Sequence, residues 1–195
     1  MNLLEEQLHS AGLQVVDHCE RLATYSPDLL EHSPLLEDFT PAEADVLAAS
    51  MLLVRAAPGQ VLIREGDAGD WMMLILKGTV DVTKRIELRT GDSDALTAAA
   101  NHAEPDAMEF TQSRVAVLQR GAAIGEMSML DSGLRYTTCT AIEPVEAGVL
   151  GSHAIGLLIR DHPGVGAKLL VKITQLMAQR LRNISNQLVK TLQKA

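Results

Sequence analysis

Aromatic rings are nearly missing from this sequence. One Trp, two Tyr and two Phe are all it holds in 195 residues, although 47% of its residues are hydrophobic. A core built from that stock is aliphatic, filled by Leu, Val, Ile, Ala and Met. Basic residues are in deficit too: 17 Lys and Arg against 25 Asp and Glu leave a net charge of −8 and a pI near 5.2. Bulk nucleic-acid binding draws its affinity from Lys and Arg that neutralise phosphates, so direct DNA binding is not expected. The two cysteines, Cys19 and Cys139, have neither C-x-x-C spacing nor histidines at metal-ligand spacing. That argues against a disulfide framework or a zinc site and predicts free thiols in a reducing cytoplasm. No His-x-His occurs, so the strand-borne metal centre of a β-barrel enzyme is not expected either, and no metal is predicted. No apolar run is long enough to span a bilayer. The N-terminus, "MNLLEEQLHSAGLQ", lacks the basic and then apolar regions of a secretory signal.

What is present divides into three textures, in a length that suits one substantial domain plus flanking helix. Leu4, Leu8, Val15, Val16, Cys19 and Leu22 recur at mostly helical spacing, which predicts an amphipathic helix over residues 2–24, weakened at Gly12. Pro27 and Pro34 break that pattern. A new helix is then expected in "FTPAEADVLAAS", with Thr40 as N-cap, Pro41 at the first helical position and Glu43 in the first turn. From residue 51, short β-prone runs are separated by "PG", "EGDAGD" and "KG", the pattern of a small antiparallel barrel or jelly roll. Residues 87–113 are polar, Ala-rich and weakly periodic, and read as a long loop or hairpin insertion. Helices resume near residue 153. The last is the plainest: Leu170, Ile173, Met177, Leu181, Ile184, Leu188 and Leu192 form one stripe at spacings of three and four. Its length exceeds what a small barrel needs, which points to a partner helix.

The stretch "GEMSMLDSGLRYTTC", residues 125–139, carries the chemistry. Glu126 and Arg135 bracket a run with small residues at Gly125 and Ser128. The bland reading is a surface ion pair beside a turn. The sharper one is a pocket for a small anion that also carries hydroxyls. A guanidinium matches phosphate oxygens in pairs, an ionised carboxylate only accepts and so suits a sugar hydroxyl, and a short helical turn between them offers N–H groups. Together they suit a phosphate fused to a sugar.

That stretch resembles the phosphate-binding cassette of the cyclic nucleotide-binding domain family, roughly Gly-Glu-Leu-Ala-Leu, four variable residues, then Pro-Arg-Ala-Ala-Thr-Val, with the Glu-to-Arg spacing matched without a gap. Upstream, "PGQVLIREGDAGDWMMLILKGTVDV" is similar to the family's first strands, with Gly59, Glu65, Gly66, Asp67 and Gly78 at its turns. The resemblance covers roughly residues 35–185. It implies an α+β fold: an antiparallel β-barrel (double-stranded β-helix or jelly roll) flanked by N-terminal helices and a long C-terminal helix. The organisation expected is an N-terminal helical extension over 1–34, a nucleotide-binding barrel over 35–164 with the 87–113 insertion, and a C-terminal lid or dimerisation helix over 165–195.

The resemblance also implies a site. Arg135 would pair with the cyclic phosphate and Glu126 would accept from the ribose 2′-hydroxyl. The backbone at Gly125, Met127 and Ser128 would line the sugar-phosphate. The N–H of Tyr136 would face a phosphate oxygen, with Thr137 beside it. Tyr136 stands where the family usually carries Ala, Ser or Thr, and Leu134 replaces a frequent Pro. The function implied is a non-enzymatic, cytoplasmic sensor of cAMP or cGMP that regulates a protein partner through its C-terminal helix, as a homodimer. With the sequence ending at Ala195 on the long helix, no DNA-reading helix-turn-helix is expected. The alternative is a degenerate scaffold of the same fold that binds no mononucleotide, or one that takes a cyclic dinucleotide.

Overall fold

A computed structural model describes residues 3–25, 28–88 and 109–193. In chain order the elements are α1 (Leu3–Ser10), β1 (Gln14–His18), α2 (Leu22–Tyr25), α3 (Leu29–His32), α4 (Pro41–Ala49), β2 (Leu52–Ala56), β3 (Val61–Ile63), β4 (Trp71–Lys77), β5 (Thr79–Leu88), β6 (Glu109–Gln119), β7 (Ala123–Ile124), α5 (Glu126–Asp131), β8 (Thr138–Ala141), β9 (Val145–Gly151), α6 (Ser152–Asp161) and α7 (Pro163–Leu192). The fold is α+β, with antiparallel sheets and a long C-terminal helix.

The strands form a five-stranded sheet, ordered β1-β2-β9-β4-β7, and a four-stranded sheet, ordered β3-β8-β5-β6. The expected closed barrel is therefore corrected. Among the described residues no strand pair joins the two sheets, which meet through side chains instead. The edges explain this: β7 has two residues, and β3 has three with a register shift against β8. Such stubs cannot carry a hydrogen-bond ladder around a corner, so an interdigitated core holds the sheets together.

That core is aliphatic. Val54, Leu62, Met73, Ile75, Val80, Val82, Val145 and Val149 fill the space between the sheets. A second core lies between the outer face of the five-stranded sheet and the helices, with Leu35, Leu36, Leu47, Met72, Leu74, Leu76, Leu158, Leu169 and Ile173. Strand β4 serves both: successive side chains point to opposite faces, so Met73 and Ile75 enter one core while Met72, Leu74 and Leu76 enter the other. This is why "WMMLIL" is apolar throughout and does not alternate.

The helix expected over residues 2–24 is also corrected. Helix α1 stops at Ser10, and Gly12 takes φ +77, a left-handed conformation that ends a helix at little cost only for glycine. The following residues then pair antiparallel with β2, Gln14 opposite Arg55 and His18 opposite Leu52. Val15 and Val16 are β-branched, and the open edge of β2 outcompetes their helical spacing. Helix α4 forms as its sequence predicts, with Pro41 in its first turn and a reciprocal Thr40–Glu43 capping box.

Strands β5 and β6 stay paired as far as Leu88 opposite Glu109, so both ends of the 87–113 stretch are strand; residues 89–108 lie outside the described residues. Both cysteines are free and buried. Burial pushes the Cys19 thiol up to about 12 and the Cys139 thiol up to about 11, which leaves both protonated and inert at neutral pH.

Helix α7 is seated at its N-terminal end and free at its C-terminal end. Val165, Leu169 and Ile173 are buried in the helical core. Lys168 bonds Glu43 at 2.7 Å and the Asp38 carbonyl at 3.0 Å. Lys172, only 4% exposed, is clasped by Glu37 at 2.7 Å and by Asp38. Every residue from Leu181 to Leu192 is exposed. No helix among the described residues is long and apolar enough to cross a membrane.

Candidate functional site

The cassette starts where β7 ends. Gly125 caps α5 at φ +79, and a Cβ there would lie 2.8 Å from Arg135 Nη1 and 2.9 Å from Ile63 Cδ1. Both the backbone conformation and the approaching guanidinium require glycine. Helix α5 is short. The turn after it puts Ser132 at φ +55, and the Asp131 carboxylate accepts from the Gly133 N–H at 2.8 Å. The chain then runs beside the "EGDAGD" turn: the Arg135 N–H donates to the Asp67 carbonyl at 2.8 Å, and the Gly66 N–H donates to the Arg135 carbonyl at 2.9 Å. Arg135 is thus fixed at its backbone on both sides before its side chain makes any contact.

Glu126 and Arg135 are not a surface ion pair. Glu126 is 1% exposed and Arg135 is 4% exposed, and they do not bond each other. Arg135 Nη1 donates to the Gly125 carbonyl at 2.8 Å and to Ser128 Oγ at 2.6 Å. Its Cζ lies 4.1 Å from the centroid of the buried Trp71 ring, a cation–π contact. Its Nη2 is buried with no hydrogen-bond partner. Burial lowers the pKa of this guanidinium from its ordinary value, the sign of a cation held away from water without a full set of partners. Glu126 is the complement: Oε1 accepts from Arg180 Nη1 on α7, while Oε2 is buried and unpartnered. One cassette therefore holds a buried donor in want of an acceptor and a buried acceptor in want of a donor.

Of the residues singled out in the sequence, Gly125, Glu126, Ser128 and Arg135 converge here. The side chains of Met127 (42% exposed) and Tyr136 (61% exposed) turn outward, and Thr137 is half-buried. Two further residues escaped the sequence reading. Lys84 on β5 places its ammonium 4.1 Å from the Tyr136 ring centroid, and donates to the Tyr136 carbonyl at 2.8 Å and to Glu65 at 2.7 Å. Arg180 reaches back from α7 to Glu126 and donates from Nη2 to the Ala123 carbonyl at 2.5 Å. Periodicity marks both as polar positions and carries no signal of what they touch.

A cavity of about 480 Å³ opens beside Arg135, walled by Ile63, Asp67 and Trp71 and by Gln7 and Ser10 of α1. A larger one, about 660 Å³, lies away from the cassette between α1 and α6. Among the described residues no three His, Cys, Asp or Glu side chains converge as metal ligands.

No family model matches the chain. It is 27% identical to a solved cyclic nucleotide-binding domain from Methylobacillus flagellatus KT, with a TM-score of 0.69 over 91% of this chain and 89% of that one. It is 24% identical over 161 residues to the CRP-like cAMP-activated global transcriptional regulator of Mycobacterium tuberculosis, covering 83% of this chain and 61% of the relative. It is 27% identical over 145 residues to the cAMP-dependent protein kinase regulatory subunit of Blastocladiella emersonii, covering 74% of this chain and 31% of the relative. The chain thus spans less than two thirds of either curated relative.

Proposed function

Because the chain belongs to the cyclic nucleotide-binding domain family, we propose that it is a non-enzymatic sensor of a 3′,5′-cyclic purine nucleotide, cAMP or cGMP. The observation that carries the reading is the pair of unsatisfied buried atoms, Glu126 Oε2 and Arg135 Nη2. Leaving such groups unpaired is costly. A ribose 2′-hydroxyl supplies the donor that Glu126 lacks, and a cyclic phosphate oxygen supplies the acceptor that Arg135 lacks. The backbone at Gly125, Met127 and Ser128 lines the sugar-phosphate, the Tyr136 N–H faces a phosphate oxygen, and Thr137 closes that side. The names of the two curated relatives, one cAMP-activated and one cAMP-dependent, support the ligand class. Occupancy passes to a protein partner through α7, whose exposed Leu181, Ile184, Leu188 and Leu192 also suit a homodimer seam.

Calorimetry with cAMP and with cGMP tests this, with a dissociation constant on the order of micromolar expected for at least one. Silence to both overturns it. The reading then in force is a scaffold, which the Lys84–Tyr136–Glu65 cluster favours because its bonds already tie the exit of the cassette to β5. Heat from a cyclic dinucleotide alone would instead identify a larger ligand.

Gly69→Ala gives a sharper check. A Cβ at Gly69 would lie 2.5 Å from Arg135 Nη2 and 2.8 Å from its Cζ, and the side chain is the part free to move. The fold is expected to survive with little change in melting temperature. Nucleotide affinity should fall about tenfold, the scale of one weakened charge-assisted hydrogen bond of about 1.5 kcal/mol. Unchanged affinity would mean that Nη2 makes no ligand contact.

A further inference from the structure

In a chain so poor in aromatic rings, Trp71 and Phe39 are buried and Tyr25 is half-buried. Among the described side chains Tyr136 is the one ring open to solvent, and it directly follows Arg135. An exposed side chain ordinarily hops among its rotamers within nanoseconds. This one is held. The Lys84 ammonium covers one face, 4.1 Å from the ring centroid, and donates to the Tyr136 carbonyl at 2.8 Å. Lys84 is fixed in turn by Glu65 Oε1 at 2.7 Å, and Glu65 Oε2 accepts from the Arg85 N–H at 2.9 Å. The backbone is pinned on both sides of Tyr136: Arg135 is bonded to Asp67 and Gly66, and Thr138 Oγ1 accepts from the Glu65 N–H at 3.1 Å. The result is a steadied ring with a cation behind one face and the rest of its surface in water. It adds nothing to either core.

We infer that Tyr136 is a stacking platform for the base of the bound nucleotide, with Lys84 the residue that positions it, so that the site takes purines in preference to pyrimidines. The inference rests on the reading of the cassette as a cyclic nucleotide site. In that reading Arg135 and the Tyr136 N–H hold the phosphate. A 3′,5′-cyclic phosphate is fused to its sugar, so the glycosidic bond is the main torsion left free. The base is thereby carried within reach of the side chain that flanks the phosphate anchor, and the open face of the Tyr136 ring can receive it. Stacking tolerates any base, because each has a π-face, and its strength grows with the area of the stacked rings. A purine therefore gains more than a pyrimidine, while adenine and guanine gain alike. The ammonium behind the ring draws electron density away from the open face, which suits an electron-rich purine. It also keeps the ring from turning aside, so less freedom is lost on binding.

The experiment uses the full chain and its Tyr136→Phe, Tyr136→Leu, Lys84→Met and Lys84→Arg variants, with calorimetry against cAMP, cGMP and cUMP. The exposure of Tyr136 makes its two substitutions safe for folding. Tyr136→Phe is expected to bind as the wild type does. Tyr136→Leu should lose about tenfold in affinity for cAMP and for cGMP, the scale of one base–aromatic stack, and no more than about threefold for cUMP. Lys84→Met should lose part of the purine preference, and Lys84→Arg, which keeps a cation behind the ring, should regain it. The cyclic phosphate of 2-aminopurine riboside adds a spectroscopic signature: its emission should be quenched on binding to the wild type and much less so on binding to Tyr136→Leu. A residue needed only for the shape of the cassette would weaken all three nucleotides by one factor. Equal weakening, or a Tyr136→Leu that binds cAMP as well as the wild type or better, overturns the platform and leaves the nucleotide site standing. A folded wild type that ignores all three nucleotides overturns the nucleotide reading, and this inference with it.

Discussion

Arg135→Met is expected to melt at or above the temperature of the wild type and to lose nucleotide affinity by about 100-fold or more. The two halves of this expectation have one cause. Arg135 is 4% exposed, forms two hydrogen bonds through Nη1, and leaves Nη2 buried without a partner. The free protein therefore bears a guanidinium desolvation that its Gly125, Ser128 and Trp71 contacts offset only in part and that an incoming anion would offset further. Replacing an under-satisfied buried charge by an apolar side chain of similar reach is often neutral or stabilising. Methionine is flexible enough to follow the Trp71 face. The groups left behind remain matched, since Ser128 Oγ already donates to the Gly125 carbonyl at 3.4 Å. Binding is another matter. Truncating one side of a buried charge-assisted contact costs about 2–5 kcal/mol, or a factor of tens to thousands. Thermal melting and calorimetry on the same preparation check both halves. A variant that melts several degrees lower while still binding would show that Arg135 is a structural residue of the cassette.

Leu169→Ala should be the most destabilising simple change in α7, at about 2–5 kcal/mol, because it empties a fully buried site between the helix and the five-stranded sheet. In a chain of this length that corresponds to a fall of roughly 5–15 °C in melting temperature. Leu188→Ala, on the same helix, is the contrast. Its side chain is 60% exposed, so the stability of the single chain should move by less than about 0.5 kcal/mol. What it should change is association. If the apolar stripe from Leu181 to Leu192 is a seam between two copies, light scattering will find a dimer in the wild type and a weakened one in Leu188→Ala. A wild-type monomer, or a dimer indifferent to the change, would remove α7 as the seam.

The sequence makes the cassette legible because its residues are chosen for chemistry and lie within one short segment. The spacing of Glu126 and Arg135 needs no tertiary information. Arg180 is different. It is one of several basic residues on a polar helix face, and only the angle at which α7 crosses the sheet decides that it reaches Glu126. Lys84 is hidden in the same way, by the irregular register of β5 between Val82 and Thr83. At the N-terminus the difficulty is ambiguity: Val15, Val16 and Cys19 fit a helical stripe and a strand equally, and the free edge of β2 settles the matter. Whether the two sheets close into a barrel is not legible in the sequence, because closure depends on how long β3 and β7 remain paired, a property of their neighbours.

The stacking of Trp71 on Arg135 has a practical consequence. This is the only tryptophan in the chain, so light absorbed at the red edge of the protein's spectrum excites one indole, lying 4.1 Å from the guanidinium. A cation so close biases the indole's excited state, and an anion that neutralises or shifts it alters the colour and yield of the emission. If an anionic ligand docks on Arg135, the protein carries its own label beside it, and a titration followed by intrinsic fluorescence reports on the surroundings of Trp71, the Arg135 contact among them.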